Sequence, residues 1–197
     1  FSKDHPHLQE VADAWDTDVV NSYTRGHDIQ LHIHSQWDDA QYDGGKWRLT
    51  NNWNITTLAE EKQRQLISDG KSYLENLIQS VDRGYKVKSF RAGGWAIAPC
   101  NSILNVLIDN GVRFDVSIVN GLHYDLPMMK LDYRDLDVVN RPYYPALGDA
   151  RKVSSCKQVI IEIPTYSFKV SRRNNWFIFI ASRLKRFNNI RKYITAS

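Results

Sequence analysis

The chain alternates helical and strand-like patterns along most of its length, and this alternation restricts the folds open to it. Apolar residues recur at helical spacing over 6–25, 57–81 and 99–108. The first of these stripes consists of Leu8, Val11, Trp15, Val19 and Tyr23. The strand-like runs are IQLHIH (29–34), YKVKSFRA (85–92), VRFDVSIV (112–119) and VIIEIP (159–164). Such alternation requires crossover connections and predicts an α/β fold with a parallel sheet.

Local signals set the expected ends of the helices. Pro6 suits the first turn of the first helix, and Gly26 stands where a C-terminal cap belongs. The segment Thr57–Glu60 has the pattern of a capping box and is expected to open the second helix. We expect the third helix to begin at Pro99 and to be capped by Gly111.

Two segments carry no clear period. Residues 36–56 are polar and aromatic and predict a long loop, a feature that is often functional. Asn120-Gly121 predicts a turn, and residues 122–155, with three prolines, are expected to be irregular. Residues 174–193 have the pattern of a basic amphipathic helix.

Charge is unevenly distributed along the 197 residues, a length that suits one domain. Residues 1–150 hold 15 Lys+Arg and 21 Asp+Glu, whereas residues 151–197 hold 11 and one. The basic end predicts either peripheral contact with an anionic membrane surface or a solvated helix face. Basic residues are not interleaved with aromatic ones, so nucleic acid is not an expected partner. The sequence shows no signal peptide and no apolar run of membrane-spanning length, which leaves the location open, with the cytoplasm slightly favoured.

The histidines of GHDIQLHIHSQW (26–37) are the first candidate site. Residues two apart in a strand point to the same side, so His32 and His34 are expected to present two imidazoles on one face. Functional groups of parallel α/β folds lie at the carboxyl ends of strands. Imidazole binds zinc and similar ions, so the pair predicts a divalent-metal site, with Zn²⁺ as the expected ion. The alternative is one buried, hydrogen-bonded histidine beside an incidental one.

FRAGGW (90–95) is the second candidate. Arg91 ends a strand and is expected to reach the face of the histidines, where it can pair with a carboxylate and fix its orientation and charge. Gly93 and Gly94 either let a substrate approach the backbone or make a tight turn. Trp95 either stacks on a sugar ring or packs in the core.

The loop after the histidines supplies further candidates. Asp38, Asp39 and Asp43 are candidates to complete a metal site or to act as a base, and Asp38 is assigned the catalytic role. The alternative is that these acids are only solvated. Trp37 and His123 are assigned to substrate binding.

These motifs resemble those of the polysaccharide deacetylases, also called the NodB-homology domain or carbohydrate esterase family 4. GHDIQLHIHSQW resembles the histidine motif, and FRAGGWAIAP (90–99) resembles the arginine motif. NGVRFDVSIVNGLHYD (110–125) and VIIEIP resemble later strands of that family. The likeness covers most of residues 1–165 and is closest to the O-antigen-associated branch.

The resemblance implies a single domain over 1–197, folded as an irregular or partial (β/α) barrel whose first strand is expected to precede Phe1. It implies metal-dependent removal of acetyl groups from an N-acetylated sugar or a surface polysaccharide of O-antigen or capsule type. In such enzymes an Asp and two His hold the metal, usually Zn²⁺. A second Asp acts as base and a later His as acid.

The match is incomplete. His32 corresponds to the first metal histidine, but the position of the second, four residues later, holds Gln36, and His34 is the expected substitute. Arg91 corresponds to the arginine that orients the catalytic Asp, which belongs to a first motif expected to precede Phe1. The late acid histidine has no match after His123. The chain is therefore expected to be either part of an enzyme or a branch with altered or lost catalysis.

Two other functions stay open. One is a carbohydrate-binding relative of the deacetylases that lacks their activity. The other is a metal-dependent barrel hydrolase of the amidohydrolase type, which needs further metal histidines on later strands, where only His123 follows His34.

Overall fold

The computed structural model describes residues 8–43, 45–167 and 176. The chain divides into two compact units, Phe1–Tyr166 and Ser167–Ser197, and the elements below belong to the first. Its helices are α1 (Gln9–Thr24), α2 (Glu60–Ile78) and α3 (Ile103–Asp109). In the described part of the chain, no helix combines the length and apolarity that crossing a bilayer requires.

The strands are short, with two to five residues each. In chain order they are β1 (Leu31–Ile33), β2 (Gln41–Asp43), β3 (Lys46–Arg48), β4 (Ser89–Ala92), β5 (Phe114–Asp115), β6 (His123–Leu126), β7 (Met129–Asp132), β8 (Pro145–Ala146), β9 (Asp149–Val153) and β10 (Ile161–Glu162). The order β1-β4-β5-β10 forms a parallel sheet. The other six pair as the antiparallel hairpins β2–β3, β6–β7 and β8–β9.

Each predicted strand run contains one strand of the parallel sheet. The parallel arrangement expected from the alternation is thus confirmed, and closure into a barrel stays a prediction. Register places His32 beside Arg91 and Phe90 beside Asp115, which in turn lies beside Glu162. Partners in adjacent parallel strands project to the same side of the sheet.

The core lies between this sheet and helices α2 and α3. Ile67 and Ile78 of α2 and Phe90 of β4 are fully buried, and burial of each such side chain contributes about 1.5–3 kcal/mol. The Cβ position of Gly70 is 3.1 Å from Leu31 Cδ1, so α2 packs closely on β1. Because this contact occupies one face of β1, His32 projects to the opposite face.

Helix α1 follows the predicted stripe only in its second half. Val19 and Tyr23 pack against the core, whereas Val11 and Trp15 are 68% and 52% exposed. The predicted cap is confirmed, because Gly26 has φ +91° and its N–H donates to the Tyr23 carbonyl at 2.9 Å.

The capping box predicted at Thr57–Glu60 is wrong. Thr57 ends a 3₁₀ turn (Ile55–Thr57), and its hydroxyl donates to the Asn54 carbonyl at 2.8 Å. Helix α2 begins at Glu60 without a side-chain cap. Glu60 and Glu61 instead place carboxylates near the positive end of the helix.

Two other helix ends differ from expectation. Helix α2 ends before Val81, which is 51% exposed. Helix α3 begins at Ile103 rather than Pro99, because Asn101 has φ +44° and such a residue interrupts a right-handed helix. Gly111, with φ +80°, ends α3 as predicted.

The prediction of irregular structure for 36–56 and 122–155 is wrong in part, since both segments contain hairpins. Pro127 lies in the two-residue turn between β6 and β7, where its fixed φ is favourable. Pro145 is the first residue of β8, a strand position that tolerates proline. The turn at Asn120-Gly121 is confirmed.

Three predictions lie outside the described residues. They are the start of the first helix at Pro6, the strand expected before Phe1, and, apart from Trp176, the basic helix over 174–193.

Candidate functional site

Two histidine rings meet at the carboxyl end of β1. His32 lies in β1, and His34 follows in extended conformation just before a 3₁₀ turn (Ser35–Trp37). Their Nε2 atoms are 2.9 Å apart, and the ring planes make an angle of 76°. This contact agrees with the common face expected for residues two apart in a strand.

Each ring is also held at its Nδ1 atom. Nδ1 of His32 is 2.7 Å from the Arg91 carbonyl oxygen, which only accepts, so this nitrogen carries the proton. The other nitrogen of neutral His32 is then an acceptor, and His34 Nε2 donates to it. Nδ1 of His34 therefore accepts, and the Gln36 side-chain N–H donates to it at 3.0 Å.

His32 is favoured in its neutral form. Burial lowers its pKa, and the charges of Arg91 and His34 act in the same direction, against a smaller raising effect of the hydrogen bond to the Arg91 backbone. A neutral imidazole is the form that binds a metal ion.

Gly93 packs directly on this pair. A Cβ at Gly93 would lie 2.7 Å from the Ile33 carbonyl oxygen and 2.9 Å from His34 Cα, distances that real Cβ atoms do not reach. Gly94 has φ +60°, and its Cβ position lies 2.9 Å from Met129 Sδ. Packing and turn geometry thus account for both glycines, and their contact with substrate stays a prediction.

Arg91 and Trp95 interact with each other. Arg91 is the register partner of His32 and projects from the sheet on the same side. Its guanidinium carbon is 5.8 Å from the centroid of the Trp95 ring, a cation–π distance. Trp95 also packs against the core, as one of its two expected roles requires. The orientation of a carboxylate by Arg91 and the stacking of a sugar on Trp95 stay predictions.

Tyr133 fixes the turn that holds Gly93 and Trp95. It is fully buried, and its hydroxyl donates to the Trp95 carbonyl at 2.5 Å and accepts the Ile97 N–H at 3.1 Å. The Ile97 N–H also donates to the Trp95 carbonyl at 3.1 Å, so the Tyr133 hydroxyl adds a second hydrogen bond to each of these two backbone groups.

Asp38, the predicted catalytic acid, is paired with Lys62 of α2 at 2.9 Å. The Asp38 side chain is only 14% exposed. Its hydrogen bond and charge raise the pKa of Lys62. This ion pair links the segment that follows the 3₁₀ turn to helix α2. The catalytic role of Asp38 stays a prediction.

Trp37 belongs to an aromatic cluster that we define as Trp37, Tyr42 and Trp47. The rings of Trp37 and Trp47 meet edge-on with centroids 5.8 Å apart, and Tyr42 and Trp47 are 5.0 Å apart. Trp37 is 38% exposed. Exposed aromatic faces near polar groups are typical of sugar-binding sites, and Trp37 has such surroundings. Its contact with substrate stays a prediction.

His123 has contacts within its own hairpin. Its Nδ1 donates to the Leu131 carbonyl at 3.1 Å and is 3.8 Å from a carboxylate oxygen of Asp132, its register partner. Its predicted contact with substrate stays a prediction.

Sequence reasoning missed a buried pair of acids. Asp115 and Glu162 are register partners in β5 and β10, and both are fully buried. Ser117 Oγ donates to Asp115 Oδ1 at 2.7 Å, and the Ile118 N–H donates to Glu162 Oε1 at 3.2 Å. Each acid interrupts an apolar strand run, and this interruption is the sequence signal from which the pair could have been predicted.

The two acids share a proton. Burial raises the pKa of both carboxyl groups, and the charge of Asp115 raises the pKa of Glu162 further. Glu162 Oε2 receives no hydrogen bond from any donor. We assign the proton to Glu162, because its hydrogen bond with Asp115 also raises the pKa of this carboxyl group.

In the described part of the chain, no three or more His, Cys, Asp or Glu side chains are grouped to hold a metal ion. His32 and His34 contribute two nitrogens that converge on one point. The hydrogen bond between Gln36 and His34 was not predicted from the sequence. Comparison with known proteins gives no matching family model, no matching curated protein and no matching solved structure.

Proposed function

We propose that this protein is a metal-dependent hydrolase that removes acetyl groups from an N-acetylated sugar or a surface polysaccharide. The observation that supports this most directly is the convergence of the His32 and His34 Nε2 atoms at 2.9 Å. Arg91 lies on the same side of the sheet. The resemblance of the histidine and arginine motifs to those of polysaccharide deacetylases supplies the substrate class.

The histidine pair suits a divalent ion such as Zn²⁺. Bonds from zinc to imidazole nitrogen are about 2.0–2.1 Å long, so two Nε2 atoms this close can bind one ion. The Arg91 carbonyl orients the His32 ring from behind, an arrangement typical of metal-binding histidines. A third ligand is required, and the resemblance assigns it to an Asp of the first motif.

The bound ion supplies polarisation of the acetyl carbonyl and activation of water. Water adds to the acetyl carbon, the carbon–nitrogen bond breaks, and the amine leaves with a proton, giving acetate and a free amino sugar. Arg91 orients the carboxylate that accepts the proton of the water. Trp37 and Trp95 position the sugar ring by stacking.

Metal affinity tests this proposal. We expect His32→Ala and His34→Ala each to weaken Zn²⁺ binding more than tenfold, because each removes a ligand. His27→Ala, which changes a histidine outside the pair, serves as the control. Affinity is measured by competition with a chromogenic chelator, and acetate release is measured with N-acetylglucosamine oligosaccharides. An unchanged affinity in His32→Ala would contradict the proposal.

A second function is a carbohydrate-binding relative without hydrolytic activity. Two observations favour it, namely the ion pair that occupies Asp38 and the presence of Gln36 where the deacetylases have a metal histidine. Binding of the same oligosaccharides without acetate release, in the chain carrying bound Zn²⁺, would support this function. Release of acetate would exclude it.

A further inference from the structure

We propose that Gln36 is a positioning residue whose side-chain amide supports both tautomers of the His34 ring, as a donor to Nδ1 in one and as an acceptor from Nδ1 in the other, and thereby permits metal uptake by the histidine pair. This inference rests on the proposed metal site. It assigns a role to a position where the deacetylase motif has a ligand and this chain has an amide.

Gln36 is held firmly by its backbone. It is 3% exposed and lies in the 3₁₀ turn that follows His34. Its carbonyl oxygen accepts two hydrogen bonds from Thr50, one from the N–H at 3.0 Å and one from the hydroxyl at 3.1 Å. The side chain is therefore delivered to His34 from a fixed position.

The amide of Gln36 is not locked in the same way. Its nitrogen donates to His34 Nδ1, whereas its oxygen, Oε1, is buried and has no hydrogen-bond partner. An unpaired buried carbonyl oxygen is unfavourable, so this orientation is not fixed by its own hydrogen bonds. Rotation of the amide by half a turn exchanges the two atoms, so that Oε1 faces His34 instead.

The two orientations suit two states of His34. In the hydrogen-bonded arrangement of the structure, His34 Nε2 donates to His32, so Nδ1 must accept and the amide nitrogen faces it. When Nε2 binds a metal, a neutral ring carries its proton on Nδ1, which must then donate. Only a partner that can also accept, as a rotated Gln amide does, satisfies both states.

Substitutions at Gln36 separate these roles. Glutamate accepts but does not donate, so Gln36→Glu is expected to keep the His34 proton on Nδ1 before metal is added. Methionine has a similar length and forms only weak hydrogen bonds, so Gln36→Met removes both the donor and the acceptor that face His34 Nδ1. Gln63→Met, at another Gln that is 1% exposed, removes a buried amide bonded to Leu58 and Ser102 and serves as the control.

The test combines nitrogen-15 NMR of the imidazole rings with Zn²⁺ affinity, under mildly alkaline conditions where imidazole is neutral. We expect the His34 proton to lie on Nε2 in the metal-free protein and on Nδ1 after Zn²⁺ is added. In Gln36→Glu it lies on Nδ1 from the start, and Zn²⁺ binds at least as tightly as in the parent protein. In Gln36→Met the proton stays on Nε2 before Zn²⁺ is added, because His32 still accepts it, and affinity falls about tenfold because Nδ1–H of the metal-bound ring has no acceptor. Gln63→Met leaves both readouts unchanged.

Two results would overturn the inference, and they differ from each other. If Zn²⁺ binds through His32 and His34 while both Gln36 variants keep the parent tautomer and affinity, Gln36 has no positioning role and the proposed function stands. If the parent protein does not bind Zn²⁺, the proposed function fails together with the role of Gln36 in metal uptake.

Discussion

The Cβ position of Gly93 lies 2.9 Å from His34 Cα, closer than any side chain allows. Glycine is therefore required here by lack of space. The contact atoms are backbone atoms of Ile33 and His34, which cannot move without displacing the histidine pair.

Gly93→Ala is accordingly expected to lower the free energy of unfolding by about 1–3 kcal/mol, the usual cost of overpacking. It is also expected to weaken Zn²⁺ binding. Gly148→Ala is the matched control, because the Cβ position of Gly148 has no atom within 4 Å. That change should alter stability by less than about 0.5 kcal/mol. Urea unfolding of both variants measures the difference, and equal losses would contradict the argument.

Glu162→Gln is expected to change how stability depends on pH. The folded-state pKa of Glu162 is raised by burial and by Asp115, so the folded protein binds more protons than the unfolded chain above the ordinary Glu pKa of about 4.3. The free energy of unfolding therefore falls as pH rises from that value towards the raised pKa. Each such proton contributes a slope of at most about 1.4 kcal/mol per pH unit.

Glutamine keeps a hydrogen-bond donor for Asp115 but does not titrate, so Glu162→Gln should flatten this slope. Glu61→Gln, at the exposed start of α2, is the control and should keep the slope of the parent protein. Urea unfolding between about pH 5 and pH 8 spans the window in which a raised carboxyl pKa acts. Parallel slopes for all three proteins would show that the buried pair does not titrate as assigned.

Trp37→Leu is expected to weaken binding of N-acetylglucosamine oligosaccharides about fivefold, a loss of about 1 kcal/mol for one aromatic contact. Zn²⁺ affinity should not change. Trp15→Leu is the matched control, since Trp15 is also partly exposed and also pairs with an aromatic ring, that of Tyr73 on α2. Calorimetric titration compares the variants, and an equal loss in both would remove Trp37 from the sugar site.

Features that depend on local chemistry were predicted well from the sequence. Gly26 and Gly111 end their helices because both adopt positive φ, which glycine tolerates best. The spacing of His32 and His34 predicts that their rings share one face, because a strand alternates its side chains, and the structure brings the two rings into contact.

Features that depend on tertiary register were not predicted. Nothing near Asp38 in the sequence indicates Lys62 as its partner, and nothing near Asp115 indicates Glu162. Thr57 shows how a local signal fails, because its hydroxyl bonds back to Asn54 instead of capping α2. In each case a tertiary or competing local contact decides which partner a polar side chain takes.

The hydrogen bonds of Tyr133 to the turn after β4 have a consequence for the order of events during synthesis. The ribosome delivers Gly93 and Trp95 well before Tyr133, which is 38 residues beyond Trp95. Until that residue emerges and the β6–β7 hairpin closes, the Trp95 carbonyl and the Ile97 N–H can bond to each other but lack the Tyr133 hydroxyl that holds both. The nascent chain thus contains His32 and His34 early, whereas Tyr133, which holds the turn packed against them, is added late.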